Sequence, residues 1–266
     1  CPRYFKLRYI EGEPTPPSMV MELGEHFHGF AERYHNQFKI YEMEEFKTLA
    51  ELVAWELSYI PNDVLPILKM YIERFVVFEC RRYWYFCRTL PNADEEFFPR
   101  HTELNLRHRY GDESYGRAGT IDAIFRIQDG RNVILRLREY KVSRKSTYDS
   151  KFVGDVRGQL GFYKDLVDRV KLHGEEMSFR FELYNPLMDD SVFPLEAGTF
   201  ERSRSGIRTP YWFLEYPLGA TQTALDKSMS SFLEALEADY FPRQPKKNID
   251  YKCRYCCFYP LCWGRY

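Results

Sequence analysis

The sequence predicts an α/β fold: strands flanked by helices, with a helical lobe inserted ahead of the strands. Three observations carry this expectation. Apolar residues recur at helical spacing through most of residues 18–87. The period shortens to two between His101 and Val142. Helical spacing returns at Asp155, and a further strand and helix follow it.

Each element has its own signal. Ser18 stands ahead of "MVMELGEHFHGFAERYHNQF" as an N-cap for a helix reaching Phe38. Helices over 43–59 and 63–87 follow, parted by Pro61-Asn62-Asp63, with Pro66 in a first turn. "TELNLRHRY", "RAGTIDAIFRI" and "NVILRLREYKV" read as strands, and "QDGR" between the last two is a hairpin turn. "DVRGQLGFYKDLVDRVKL" is a helix, "MSFRFELYNP" a strand and "TPYWFLEYPL" a weaker one. "TQTALDKSMSSFLEALEADYF" is a helix with a threonine cap. The expected organisation is 1–38, an inserted helical region over 39–100, a core over 101–240 and a cysteine-rich tail over 241–266, all in one integrated domain.

A chain of 266 residues with 44% apolar and 29% charged residues can bury a sizeable core, which excludes a disordered chain. No run approaches a bilayer span, and the opening "CPRYFKLRYIEG" lacks a signal peptide's apolar segment. The expectation is a cytoplasmic protein with no membrane partner. A net charge of −1 supplies no global pull on nucleic acid. Such binding would rest on local basic surface, for which Arg136–Lys151 is a candidate and a solvated face an equal account. Tyr83, Trp84 and Tyr85 are candidate base stackers, although a helical aromatic cluster more often packs in a core.

In "VILRLREYKVS", Val133, Leu135, Leu137, Glu139 and Lys141 share one face, which begins apolar and ends in opposite charges. A strand leaving a core for a wet cleft has this pattern, and so has an edge strand with a solvated tip. Its hairpin partner holds Asp122 among Ile121, Ala123, Ile124 and Phe125, where a carboxylate is costly unless paired or bound to metal. Pairing across the turn would bring Asp122 near Glu139, though a one-residue slip would change the facing. Two carboxylates and a lysine make a hard-oxygen site suited to Mg²⁺ or Mn²⁺.

Gly119-x-x-Asp122 followed by Glu139-x-Lys141 resembles the PD-(D/E)XK nuclease superfamily. Further elements are similar to its RecB/AddB-like branch. These are Gly24 and His28 in "LGEHFHGFAE", Glu103 in "TELNL", and Gln159 and Tyr163 in "GQLGFYKDL". At the ends, Cys1 in "CPRYF" and Cys253-x2-Cys256-x5-Cys262 resemble that branch's split iron–sulfur motif, and the arrangement resembles the CRISPR-associated protein 4 family. Cys257 is an extra thiol within it.

The resemblance implies a restriction-endonuclease-like mixed central sheet flanked by helices and a metal-dependent DNA exonuclease or end-trimming nuclease, with Mg²⁺ or Mn²⁺ held by His28, Asp122, Glu139 and the Tyr140 carbonyl. Asp122, Glu139, Lys141, Gln159 and Tyr163 would be catalytic. Tyr163 would equally serve packing, Glu103 would support the site or form a surface ion pair, and His26 is the rival to His28. Cys1, Cys253, Cys256 and Cys262 would hold a 4Fe–4S cluster joining the chain's ends, with four-thiolate zinc as the alternative. The implied partners are single-stranded or end-bearing DNA and CRISPR integrase proteins, with room for an oligomer. A repair or recombination exonuclease, and a catalytically silent iron–sulfur DNA-binding subunit, are the competing readings.

Overall fold

The computed structural model describes residues 2–15, 18–38, 45–109, 116–129, 132–142, 150–170, 178–186, 201–203, 206–208, 214–215, 219–241 and 256–263. A short helix α1 (Pro2–Phe5) continues into a π-helical turn at Lys6–Ile10. Ser18 caps α2 (Met19–Gln37) as expected, its Oγ accepting the Met21 N–H at 3.3 Å.

In the lobe, α3 (Leu49–Leu57) starts later than residue 43. Thr48 and Glu51 set that start by a reciprocal capping box, each side chain accepting from the other's backbone N–H. The expected helix's first residues, 43 and 44, lie outside the described residues. Pro66 opens α4 (Pro66–Thr89), where its missing N–H costs no bond. The acidic "ADEEF" forms one further turn, α5 (Ala93–Phe97).

Three antiparallel strands follow, β1 (Pro99–Arg109), β2 (Gly116–Asp129) and β3 (Asn132–Tyr140). Asp129 stands opposite Asn132, as the turn signal required. Helix α6 (Ser150–Val170) then leads to β4 (Ser178–Tyr184), which pairs parallel to β3. A parallel neighbour needs such a crossover, so the sheet is mixed, in the order β1-β2-β3-β4. Strands β5 (Glu201–Ser203), β6 (Gly206–Arg208) and β7 (Leu214–Glu215) form a small second sheet. The chain closes with α7 (Gly219–Glu237) and α8 (Tyr259–Trp263). Among the described residues no helix is long and apolar enough to cross a membrane.

The chain divides into two compact units, Glu22–Thr221 and a unit joining Cys1–Met21 to Gln222–Tyr266. In the larger unit both faces of the sheet are covered. Ile124, Leu135 and Leu137 pack with Leu160, Tyr163, Leu166 and Val167 of α6. Ala123, Phe125 and Tyr140 pack on the other face with Phe27 and Ala31 of α2 and Phe75 of α4. Phe27, Phe75 and Tyr140 meet edge to face, with centroids 5.6–6.0 Å apart, a geometry worth about 0.5–1.5 kcal/mol per pair beyond buried area. Tyr83 is core, whereas Trp84 and Tyr85 are half-buried.

The smaller unit brings the two ends of the chain together. Tyr4 packs on Phe258 with centroids 5.2 Å apart, Phe5 meets Phe232 at 4.7 Å, and Lys6 Nζ donates to Asp239 Oδ1 at 3.0 Å. Cys262 lies in α8 and Cys256 precedes it, its carbonyl accepting the Tyr259 N–H at 3.0 Å. Cys256 and Cys262 are half-buried and Cys257 is exposed. The Cys1 and Cys253 expectations fall outside the described residues, as does the basic stretch beyond Val142 up to residue 149.

Candidate active site

A change of phase in two neighbouring strands makes the site. On β2, Ile121 packs towards α6, yet Ala123 packs towards α2 and α4. Residues two apart normally share a face, so the alternation breaks at Asp122. On β1 the residue between the Thr102↔Ala123 and Leu104↔Ile121 pairs is Glu103, and its φ is 46°. That left-handed conformation is rare for a residue with a side chain and costs on the order of 1–3 kcal/mol. The ladder on both sides holds Glu103 there. Its carboxylate meets α2, where His28 Nδ1 lies 3.3 Å from Glu103 Oε1 and 3.2 Å from Asp122 Oδ1.

His28, Glu103 and Asp122 thus offer three ligand atoms within 4.8 Å of one another. Asp122 is 6% exposed, while the His28 and Glu103 side chains are 25% and 29% exposed, so the trio sits at a rim that solvent reaches. The other carboxylate oxygen of Asp122 accepts the Tyr140 backbone N–H at 2.6 Å. The ring of Tyr140 stands edge-on to His28 at 6.0 Å, fixing the imidazole from the core side. His26 is exposed and takes no part.

Glu139 and Lys141 lie beside the trio, on the strand end that the alternation singled out. Glu139 is 2% exposed, and its Oε1 accepts from Lys141 Nζ and from Gln159 Nε2, the latter at 2.7 Å. The Tyr184 carbonyl of β4 accepts the Lys141 N–H at 2.8 Å and keeps the strand extended past Tyr140. Gln159 and Tyr163, four apart and so on one helix face, meet through Gln159 Nε2 and the Tyr163 hydroxyl at 2.7 Å. Gly119 is where α6 comes close. A Cβ there would lie 3.0 Å from Tyr163 Cε1 and 3.3 Å from Phe162 Cε1. The glycine three residues ahead of Asp122 therefore lets the Gln159–Tyr163 face reach Glu139.

The charges are in tension. Burial disfavours a charged His28, but hydrogen bonds to Asp122 and Glu103 outweigh it and raise its pKa to about 10. Burial, together with the charge of Asp122, lifts Glu139 to about 7 against the pull of Lys141. Burial likewise pushes the Tyr163 phenol up, so it stays neutral, its hydroxyl oxygen accepting from Gln159 Nε2. Among the described residues Glu139 Oε2 is buried with no hydrogen-bond partner, a costly state for a carboxylate oxygen. Oxygen donors from Asp122, Glu103 and Glu139 with one imidazole suit a hard divalent cation, and the unpartnered Oε2 fits one. The protonated His28 supplies positive charge at the same place.

The sequence-derived residues His28, Asp122, Glu139, Lys141, Gln159 and Tyr163 are therefore gathered around one rim. The compact trio takes Glu103 as its third member, with Glu139 adjacent to it, tied to Lys141 and Gln159. Sequence reasoning left Glu103 undecided because an acid on a half-exposed strand is common and a positive φ leaves no local signature. It missed a second cluster altogether. Across the sheet, Glu79 accepts from Arg82 Nη2 at 2.6 Å and from Arg138 Nη1 at 3.0 Å, all three at most 3% exposed. The available signal was Glu79 within "YIERFVVFECRRYWYFC", an acid in an apolar helix.

No curated protein matches the chain. Among solved structures it is similar to one described as "Crystal structure of SSO0001", with 14% identity, covering 94% of this chain and 98% of that one, at a TM-score of 0.31. A likeness at that level adds nothing to the argument. The model of the PD-(D/E)XK nuclease superfamily matches residues 1–263. With nearly the whole sequence spanned and an acidic, lysine-bearing strand end at its centre, the chain belongs to the PD-(D/E)XK nuclease superfamily.

Proposed function

We propose that this protein is a Mg²⁺- or Mn²⁺-dependent deoxyribonuclease that hydrolyses phosphodiester bonds at single-stranded or end-bearing DNA. The observation that carries this reading is the buried, unpartnered Glu139 Oε2 beside the His28–Glu103–Asp122 trio. His28, Glu103, Asp122 and Glu139 would hold the ion, with the Tyr140 carbonyl as a further donor. When bound, the ion would neutralise charge on the phosphoryl group and lower the pKa of a water molecule.

The chain's own residues do the rest. Glu139 orients the attacking water, because one of its oxygens is held by Gln159 and Lys141 while the other is uncommitted. Lys141, with a side chain 31% exposed, reaches solvent and faces the charge that develops on the phosphate. Tyr163 fixes Gln159 and, through it, the carboxylate. The direct test replaces Asp122, Glu139 or Lys141 singly with alanine and follows end-labelled DNA with Mn²⁺ present. Each variant should lose cleavage; full activity in all three would sink the mechanism. If the wild type cleaves no DNA end with either ion, the silent DNA-binding reading stands instead.

The cysteine spacing supports a 4Fe–4S cluster on Cys1, Cys253, Cys256 and Cys262, with zinc as the alternative. The packing of Tyr4 on Phe258, between Cys256 and Cys262, agrees with a link between the two chain ends. Anaerobic preparation with metal analysis decides it: a brown, iron-bearing protein supports the cluster, and a colourless zinc protein overturns it. The pathway reading, trimming of spacer precursors beside CRISPR integrase proteins, rests on the resemblance of the motif set. An integrase gene next to this one would support it, and a recombination gene in that place would favour repair. A cytoplasmic location goes with either pathway.

A further inference from the structure

Beyond the trio, the β1–β2 ribbon carries a row of polar groups that the cleavage chemistry does not use. Leu104 and Leu106 pack against α6, so alternation turns Asn105, Arg107 and Arg109 to the opposite face, where all three are exposed. That is the face from which α2 presents His28. Their partners on β2 are Thr120, Ala118 and Gly116. Small partners leave the guanidinium groups clear above the ribbon.

The row is organised. Asn105 Nδ2 donates to Thr120 Oγ1 at 3.2 Å, and Arg107 Nε donates to Asn105 Oδ1 at 3.2 Å. Arg107 is thereby steadied through one nitrogen, and among the described residues its two terminal nitrogens are uncommitted. Among the described residues neither Arg107 nor Arg109 pairs with a carboxylate. Thr120 lies two residues before Asp122, and Asn105 two residues after Glu103. The row is therefore continuous with the ion-binding rim.

We propose that Asn105, Thr120, Arg107 and Arg109 form a rail for the phosphate backbone of a single nucleic acid strand flanking the scissile bond. Alternate residues of a strand repeat about every 7 Å, close to the interval between successive phosphates of an extended nucleic acid strand. Asn105, Arg107 and Arg109 follow one another along a single strand with no register shift between them. A duplex backbone winds away from such a line, whereas an extended single strand stays in register with it. Guanidinium contacts to phosphate position a strand without reading its sequence, so the rail gives register rather than base preference.

This inference rests on the nuclease reading, and its test separates the two. Binding of fluorescein-labelled oligothymidylate, trimer and dodecamer, is followed by anisotropy in EDTA, where cleavage is absent. The wild type should bind the dodecamer more tightly, with affinity falling as salt rises. R107E/R109E should bind the dodecamer roughly tenfold or more weakly and flatten the logarithmic salt slope by about 1.4, the value for two lost single-strand phosphate contacts. Charge reversal at Lys164 on α6, K164E, should leave both quantities at the wild-type value. Thermal melting checks folding, and R107Q/R109Q repeats the test if the charge reversal fails to fold. Wild-type affinity and slope in both double variants, or no oligonucleotide binding by the wild type, would overturn the rail. Binding through the rail without cleavage of any substrate in Mn²⁺ would instead remove the nuclease reading and leave the rail standing.

Discussion

Arg138 and Glu79 are 59 residues apart in sequence, and Arg138 Nη1 donates to Glu79 Oε1 at 3.0 Å with both side chains no more than 1% exposed. The pair ties β3 to α4 on the sheet face opposite Glu139, the very next residue. Burial alone would raise the Glu79 carboxyl, but Arg82, His35 and Arg138 together hold it well below the usual carboxylate range. Arg138 also lies over the Phe125 ring at 4.2 Å.

Replacing Glu79 by glutamine would leave two buried guanidinium groups facing a neutral amide. The expected loss is about 3–5 kcal/mol, as for other buried pairs broken from one side. Urea denaturation measures it. An unchanged midpoint would mean that the arginines find other partners at no cost.

Glu103 separates backbone from side chain. Glycine adopts a φ of 46° freely and alanine does not. E103G should therefore be more stable than E103A by about 1 kcal/mol, while both bind Mn²⁺ more weakly than the wild type. Calorimetric titration and thermal melting of the two variants supply the readouts, and equal stabilities would contradict the strained assignment.

The ion-free protein should lose stability as pH rises. Glu139 has a folded pKa near 7 against an ordinary 4.5, so the folded state binds the extra proton. Its contribution is complete below about pH 4.5 and is lost as pH passes 7. His28, raised from 6.5 to about 10, contributes fully below 6.5 and loses that contribution on approach to 10. In EDTA the melting temperature should fall steadily across this range. With Mn²⁺ the fall should be smaller, because the cation replaces the protons and binding releases them. Parallel curves with and without Mn²⁺ would be incompatible with ion binding at these residues.

Gly119→Ala tests the approach of α6. The added Cβ would stand 3.0 Å from Tyr163 Cε1, so the ring and its helix must move. Overpacking of this kind costs about 1–3 kcal/mol. Cleavage should drop although no ion ligand or lysine is altered, because Gln159 loses its hold on Glu139. Full activity with a stable fold would show that α6 yields without disturbing the carboxylate.

Much of this protein was legible in local sequence. Ser18 and Pro66 announced helix starts, and the turn between β2 and β3 announced a hairpin. Period two put Leu137, Glu139 and Lys141 in line, and an interval of four put Gln159 beside Tyr163. These features depend on residues near one another in the chain, where backbone geometry alone sets which side chains share a face. Helix α3 starts at Leu49 rather than near residue 43 because Thr48 and Glu51 form a capping box, a signal that is itself local.

What only the tertiary structure decided is the content of the rim and of the core behind it. The left-handed turn at Glu103, the break of alternation at Asp122 and the meeting of both with His28 arise from the pairing of β1 with β2 and the docking of α2, contacts across 19 and 75 residues or more of chain. The Glu79–Arg138 pair likewise exists only once α4 covers β3. Pattern along a chain sets which face a residue takes, but ladder register and helix docking decide which charges share a buried space, and there the cost of an unpartnered charge selects the arrangement.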